Sequence, residues 1–269
     1  MNYASSMKPA LYDAHLHLAA STLRPSAKNL CATLRKAGVH RIVCNGTSPH
    51  DWPHVLQLAE SQPIVLPAVG LHPWKVSEAP SDWKTQFLHS LDAGAKAVGE
   101  IGLDQWIKGH NRQSQQEAFR FQLEEAALRE LPVSIHCLRA VEPLIETLRS
   151  SPLPKRGFHL HAYNGPTDRL NELLSLGAYF SFNAGQFKPG SKRILQNLQA
   201  VPLDRLFIET DAPHFLPPAE HRPFRLSDPE GNHPANITAA YAAIASARGI
   251  NCNEMARQIA LNFCAFFGS

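Results

Sequence analysis

Eight short apolar runs, separated by helical stretches, constrain the fold of this chain more than any other feature. Several runs are continuously apolar, as parallel strands buried on both faces are. We predict strands at Ala10 to Ala14, Arg41 to Cys44, Ile64 to Val69, Ala97 to Ile101, Pro132 to His136, Gly157 to His161, Ala178 to Phe182 and Arg205 to Thr210. Eight strands alternating with helices predict an α/β fold, a closed (β/α)8 barrel of the TIM type.

The segments between the runs have helical patterns and helical stop signals. Gln113 to Arg129 is the clearest helix, and Asn29 to Ala37 ends at Gly38, where a glycine commonly terminates a helix. An open doubly wound sheet is the alternative fold, but no Gly-x-Gly-x-x-Gly motif follows the first strand. Prolines concentrate between Phe187 and Pro234, which we predict to be a long active-site loop around the last strand.

Composition indicates an ordinary globular chain of one domain. The 269 residues are 44% hydrophobic and 18% charged. The net charge of +3 does not by itself indicate a nucleic-acid binder, and it is compatible with an anionic substrate. Five cysteines without a CxxC pair indicate reduced thiols in a reducing cytoplasm. The sequence does not determine the oligomeric state, for which we expect a monomer. We expect no membrane helix and no signal peptide, an N-terminal extension at 1–9 whose first six residues are dispensable, and a barrel domain at 10–269.

Histidines and carboxylates follow many of the predicted strands. His15 and His17 lie two positions apart on the first strand, so both imidazoles face the same side and can bind one divalent metal. Because the carboxyl ends of parallel barrel strands meet at one mouth, residues after the other strands should join them. The candidates there are His72, Glu100, His136, His161 and Asp211.

These residue types suit two divalent ions a few ångströms apart. We expect Glu100 to bridge the ions, with His15, His17 and Asp211 completing one site and His136 and His161 the other. Such a pair lowers the pKa of a bridging water, which would attack as a metal-bound hydroxide with Asp211 as general base. Imidazole and carboxylate ligands fit Zn or Mn, and an oxygen-rich variant would admit Mg.

Other residues near the mouth have two possible roles. His72 is predicted to bind substrate or donate a proton, against a structural role in its loop. Glu209 either contacts substrate or supports the metal ligands from a deeper layer, and Asp104 either closes its loop or touches substrate. His159 shares the parity of His161 but lies one layer lower, so we predict a structural role for it.

The chain resembles the TatD family of metal-dependent hydrolases, within the amidohydrolase-type barrels, from Leu11 to Phe267. The motifs that carry the resemblance are Asp13-Ala14-His15-Leu16-His17, Gly70-Leu71-His72-Pro73, Gly99-Glu100-Ile101-Gly102-Leu103-Asp104 and Glu209-Thr210-Asp211-Ala212-Pro213. The resemblance implies a TIM-type barrel, the dinuclear site described above, magnesium-stimulated deoxyribonuclease activity and a cytoplasmic location. Related dihydroorotases bridge their metals with a carboxylated lysine, whereas this chain has Glu100.

Three departures from the family pattern lie on the substrate side. Ala162-Tyr163-Asn164 follows His161 where the family usually has x-Phe-Ser, and Gly231-Asn232-His233-Pro234 replaces an Arg-Asn-Glu-Pro-like segment. Leu138 stands where many members carry an arginine, so Arg139 is its expected substitute and a predicted substrate contact. These changes affect the expected substrate more than the expected metals.

Three functions remain open from the sequence. The first is a phosphodiesterase that trims DNA from an end, a 3'-5' exonuclease-like deoxyribonuclease whose phosphate contacts would be Arg139, Lys188, Lys192, Arg193, Arg222 and Arg225. The second is the same metal site acting on a small amide, ester or lactone. The third is a binding barrel without activity, which the intact set of ligand residues opposes.

Overall fold

Eight parallel strands lie side by side in the order of the sequence. The computed structural model describes residues 9–106, 108–109, 111–188 and 190–268, and in this part of the chain neighbouring strands pair in parallel from the first to the eighth. The strands are β1 (Leu11–Leu16), β2 (Val39–Asn45), β3 (Val65–Val69), β4 (Ala97–Asp104), β5 (Val133–Leu138), β6 (Phe158–Leu160), β7 (Ala178–Phe182) and β8 (Leu206–Ile208). The predicted eight-stranded α/β barrel is therefore confirmed.

Backbone hydrogen bonds just after β8 bring the last strand back to the first. The Asp211 N–H donates to the His15 carbonyl at 2.9 Å, and the His17 N–H donates to the Ala212 carbonyl at 2.8 Å. Closure of the barrel thus places Asp211 directly beside His15 of β1 and His17, which follows the strand.

Helices separate the strands and cover the outside of the barrel. Their bounds are α1 (Ala27–Lys36), α2 (Trp52–Ser61), α3 (Trp83–Asp92), α4 (Arg112–Leu128), α5 (Val141–Ser150), α6 (Leu170–Ser175), α7 (Lys192–Ala200), α8 (Ile237–Arg248) and α9 (Cys252–Phe267). The prediction of one long loop from Phe187 to Pro234 is wrong in its first half, because α7 buries Ile194 and Leu198, four residues apart, against the core. No proline falls within α7; the prolines that suggested a loop flank it and follow β8.

Two apolar clusters pack on opposite faces of the sheet. The larger one joins the strands to the surrounding helices, with Trp52, Phe87 and Phe119 among its fully buried members. The smaller one combines strand residues such as Tyr12 and Phe207 with three phenylalanines of α9, namely Phe263, Phe266 and Phe267. Helix α9 therefore fills one end of the barrel with aromatic rings, and the other end is left for polar side chains.

Three further sequence predictions concern the ends and the environment of the chain. The predicted extension at 1–9 lies outside the described residues, apart from Pro9. Within the part of the chain that the structure describes, no helix is long and apolar enough to cross a membrane. All five cysteines are free.

Gly102 is a backbone requirement for the pairing of β4 with β5. Its φ is +142°, and a Cβ there would lie 2.0 Å from the carbonyl oxygen of His136, its partner in the ladder. We expect Gly102→Ala to lower the free energy of unfolding by more than about 4 kcal/mol, because backbone must move. Gly94→Ala is the matched control: its φ is +117°, but a Cβ there would meet no atom of the described residues within 4 Å, so the cost should be roughly 1–3 kcal/mol. Equal midpoints of urea unfolding for the two variants would contradict the prediction.

Candidate metal centre

The carboxylate of Glu100 lies between two groups of side chains, one on each of its oxygens. On the Oε2 side, His17 Nε2 lies 3.2 Å away and His15 Nε2 3.4 Å away. Asp211 Oδ1 completes this group, at 3.2 Å from His17 Nε2 and 3.7 Å from His15 Nε2. His15 belongs to β1 and His17 follows it, while Glu100 belongs to β4 and Asp211 to the turn after β8.

The four atoms on the Oε2 side fit a metal ion. Ligands at about 2.0–2.1 Å around a tetrahedral ion lie roughly 3.3–3.4 Å from one another, close to the distances measured here. Asp211 Oδ1 is buried and has no hydrogen-bond partner in the described part of the chain. A buried carboxylate oxygen of this kind needs a cation or a donor to offset its desolvation, and a divalent ion supplies that charge.

A second group surrounds Oε1 of Glu100. His161 Nε2 lies 2.8 Å from this oxygen, His136 Nδ1 lies 2.9 Å from it, and His72 Nε2 lies 3.2 Å from it. The nitrogens of His136 and His161 are 3.4 Å apart. Glu100 can thus offer one oxygen to each group, which is the arrangement that the sequence predicts for a bridging carboxylate.

The remaining nitrogen of each imidazole decides whether the ring can bind a metal, because a ligating nitrogen must be unprotonated. His17 Nδ1 lies 3.0 Å from the Asn45 carbonyl, and His136 Nε2 lies 2.9 Å from Asp104 Oδ2. Both partners accept hydrogen bonds, so each of these nitrogens carries the proton. The nitrogens that face Glu100 are then free to coordinate a metal.

His72 has the opposite arrangement. Its Nδ1 accepts a hydrogen bond from the Trp74 N–H at 3.1 Å, so the proton of the neutral ring is on Nε2, which faces Glu100. Burial lowers the pKa of His72 to about 4, and the neighbouring Glu100 only partly offsets this effect. His72 is therefore a neutral N–H donor at the mouth of the site, and its geometry differs from that of the predicted ligands.

Two carboxylates support the histidines from behind. Asp104 Oδ2 accepts hydrogen bonds from His136 Nε2 and, at 2.7 Å, from Trp74 Nε1. Glu209 is fully buried, with its Oε1 3.7 Å from His161 Nδ1 and 3.2 Å from the side-chain nitrogen of Asn183. The prediction of Glu209 as a substrate contact does not fit this depth, whereas the supporting role that the sequence also allowed does.

Basic residues line a cavity beside the metal centre. A cavity of about 480 Å³ reaches from His136 and His161 to Lys188 and Arg193. Arg139 is exposed and shares an adjoining cavity with Arg193. The other predicted phosphate contacts, Lys192, Arg222 and Arg225, line neither cavity.

The charged groups of the cluster shift one another's pKa values. Burial opposes ionisation of Glu100, but attraction to His72 and His161 and contacts with the other rings hold its pKa well below the usual value. Burial likewise opposes a charge on His17, yet contacts with Asp211 and Glu100 raise its pKa to about 10. The pKa of His161 is raised well above 6.5, chiefly by Glu100 acting against burial. Without a metal, protons balance the carboxylates.

Comparison with known proteins assigns the chain to a family. The TatD related DNase family matches residues 12–268. The chain belongs to this family. The 3'-5' ssDNA/RNA exonuclease TatD of Pantoea vagans (strain C9-1) is 30% identical over 267 residues, which cover 96% of this chain and 99% of that protein. The uncharacterised metal-dependent hydrolase YcfH of Escherichia coli (strain K12) is 26% identical, with 96% and 95% covered.

Solved TatD structures have the same barrel. YJJV, a TatD homologue from Escherichia coli K12, superposes with a TM-score of 0.89 at 25% identity, covering 98% of this chain and all of the other. A TatD family hydrolase from Entamoeba histolytica gives a TM-score of 0.84 at 17% identity, over 98% and 100% of the chains, and shows the fold alone. The resemblance to the TatD family predicted from the sequence is thus confirmed.

Metal binding at this TatD site should release protons. Because the pKa of His17 is about 10 in the metal-free cluster, the ring is protonated near neutral pH and must lose its proton before it can coordinate. The affinity should therefore rise as the pH rises from neutral towards 10. Calorimetric titration with Zn²⁺ in buffers of different ionisation enthalpy measures the protons released. His17→Gln removes this titrating group together with a proposed ligand, so it should bind the ion more weakly and release fewer protons per ion bound. An affinity independent of pH in the unaltered protein would contradict the prediction.

Proposed function

We propose that this TatD family protein is a divalent-metal-dependent phosphodiesterase that removes nucleotides from the 3' end of single-stranded nucleic acid. The observation that carries the proposal is the Glu100 carboxylate with one ligand group on each oxygen. The family assignment and the name of the Pantoea vagans relative, a 3'-5' ssDNA/RNA exonuclease, support the choice of substrate. Five free thiols agree with a protein of the reducing cytoplasm, where we expect it to act as a monomer.

The proposed ligands follow from the ring orientations. His15, His17 and Asp211 would hold one ion and His136 and His161 the other, with Glu100 shared between them. Four imidazole nitrogens favour Zn or Mn over Mg, which prefers oxygen ligands. When bound, two such ions supply Lewis acidity to a phosphoryl group and lower the pKa of water.

The chain's own residues supply the remaining functions. The pKa of Asp211 is lowered, because contacts with His17 and His15 outweigh burial, so its carboxylate is ionised and can accept a proton from an attacking water. His72 points an N–H donor towards the same space and can bind a phosphate oxygen. Lys188 and Arg193 offer positive charge in the adjoining cavity.

Exposed aromatic side chains near the mouth favour nucleic acid over a small substrate. Trp74 is 39% exposed, Trp106 54% and Phe215 40%, although large apolar side chains are usually buried. Trp74 follows His72, and Phe215 lines the cavity that also contains Lys188 and Arg193. Bases stack on such rings while cations bind the phosphates, and this combination is typical of single-strand binding.

Labelled oligonucleotides test the proposal directly. With Zn²⁺ or Mn²⁺, a 5'-labelled single strand should shorten one nucleotide at a time, whereas a 3'-labelled strand should lose its label at the first step. Glu100→Ala should abolish the activity and leave the circular dichroism spectrum unchanged, because it removes the shared carboxylate and little core volume. Turnover of an ester, amide or lactone panel with intact DNA and RNA would contradict the proposal and favour the small-substrate hydrolase.

His72→Ala should lower kcat by about 100-fold and leave the metal content unchanged. The reason is that Nε2–H of His72 is a donor and not a ligand, and loss of one such donor costs on the order of 10²–10³ in kcat. Metal content is measured by elemental analysis of the purified variant. His72→Gln is the matched control, since its amide keeps an N–H donor. Loss of metal in His72→Ala would instead place this ring among the ligands.

Trp106→Ala should raise KM for a single-stranded oligonucleotide by about 10-fold or more, since stacking contributes roughly 1–3 kcal/mol per base. Turnover of bis(p-nitrophenyl) phosphate, which has no nucleobases, should change much less. Leu261→Ala is the control, because Leu261 is exposed on α9 and far along the chain from the site residues. Equal effects on both substrates would show that Trp106 acts on the site and not on the bases.

A further inference from the structure

A row of buried polar side chains crosses the barrel beneath the metal centre. His15 Nδ1 lies 2.9 Å from Ser134 Oγ, which lies 3.3 Å from His159 Nδ1. His159 Nε2 lies 2.6 Å from Ser181 Oγ, and Ser181 in turn donates to Glu209 Oε2. All five residues are 0% exposed. We call Ser134, His159, Ser181 and Glu209 the buried hydrogen-bond chain.

Hydrogen-bond counting fixes the direction of this chain. A carboxylate only accepts, so the Ser181 hydroxyl must give its single proton to Glu209. Ser181 Oγ also accepts from the Ala162 N–H at 3.2 Å, and its remaining lone pair must accept from His159. The proton of the neutral His159 ring is therefore on Nε2, and its Nδ1 is an acceptor.

The same count continues to His15. Since His159 Nδ1 accepts, the Ser134 hydroxyl donates to it, and Ser134 must in turn accept from His15 Nδ1. His15 then carries its proton on Nδ1. Its Nε2, which faces Glu100 Oε2 and Asp211 Oδ1, keeps the lone pair that a metal requires.

We propose that the buried hydrogen-bond chain positions the group on the Oε2 side of Glu100 through His15. Through Ser181, His159 and Ser134, Glu209 selects the ligating tautomer of His15. His159 is thus a positioning residue. The sequence predicted a structural role for it, and the proposed role is to connect Ser181 to Ser134. The inference rests on the proposed metal centre and does not depend on which substrate is hydrolysed.

The location of His159 supports this role over simple core packing. Its ring packs against Phe207 at 5.2 Å and Phe267 at 6.3 Å between ring centres, in the apolar end of the barrel. An imidazole in such surroundings needs partners for both nitrogens, because an unsatisfied buried polar group costs about 1–3 kcal/mol. Both partners are serine hydroxyls, each of which donates its single proton to one neighbour and accepts from another. The proton positions are therefore fixed in sequence from Glu209 to His15.

Nuclear magnetic resonance of the metal-free protein tests the proposal without substrate. With ¹⁵N-labelled histidine in mildly alkaline buffer, His15 should carry its proton on Nδ1. Ser134→Ala removes the nearest link and should give a mixture of tautomers at His15. Ser181→Ala should do the same, although Ser134 and His159 of the buried hydrogen-bond chain separate it from His15. Thr147→Ala is the matched control, because it removes a buried hydroxyl whose hydrogen bond, among the described residues, goes to the Pro143 carbonyl and not to the buried hydrogen-bond chain.

Zn²⁺ affinity, measured by competition with a chromophoric chelator, is the second readout. Both serine variants should bind the ion at the His15 site about 10–100-fold more weakly, as is usual when a partner behind a ligand is lost. Ser134→Thr keeps the hydroxyl and should restore the affinity. The proposal is overturned if His15 carries its proton on Nε2 in the unaltered protein, or if either serine variant matches Thr147→Ala in tautomer or in affinity. Neither readout uses a substrate. A failure of the proposed nuclease function would therefore leave these results unchanged, and the two proposals can be tested separately.

Discussion

The ionised carboxylate of Glu100, buried among imidazoles, is the interaction on which the arrangement of the candidate metal centre depends. A buried charge is tolerated only when it is paired, and Glu100 meets five ring nitrogens within 3.4 Å. Whatever balances it must be positive, and either protons or metal ions can serve. The raised pKa values of His17 and His161 are the signs of the protonated state. The centre is therefore a cation site by electrostatics, before any family resemblance is considered.

The barrel brings these groups together by closing on itself. Asp13, the first residue of the Asp13-Ala14-His15-Leu16-His17 motif, does not face the metal centre. Its carboxylate accepts from the Thr210 hydroxyl at 2.6 Å and from the Thr210 N–H at 3.1 Å, which ties β1 to the turn after β8. Asp211, the next residue, has a positive φ of 50° and donates its N–H to His15. The motif thus contains one residue that connects the first and last strands of the barrel, in addition to its two predicted ligands.

Much of the architecture could be predicted from local sequence patterns. The position of the site then followed from the architecture, because the ends of parallel barrel strands meet at one mouth. Strand parity placed His15 and His17 on one side, and the rule that parallel strands end at one mouth placed Glu100, His136 and His161 nearby. Properties that depend on a single hydrogen bond could not be predicted in this way. The donor role of His72 depends on the Trp74 backbone N–H, and the aromatic residues at the mouth come from loops that only the fold brings together. Helix α7 was missed because proline counts over a long segment obscure a short amphipathic helix.

Asp104 links the metal centre to the residues that we expect to meet the bases. One of its oxygens accepts from His136 Nε2 and from Trp74 Nε1, and the other accepts from the Trp106 N–H at 2.8 Å. Burial opposes ionisation of this carboxyl, but hydrogen bonds to His136 and Trp74 lower its pKa, so the negative charge remains. The exposed ring of Trp74 therefore shares its hydrogen-bond acceptor with His136, a proposed metal ligand. Because the same carboxylate on β4 orients both side chains, the orientation of an indole that follows β3 is coupled to that of an imidazole on β5.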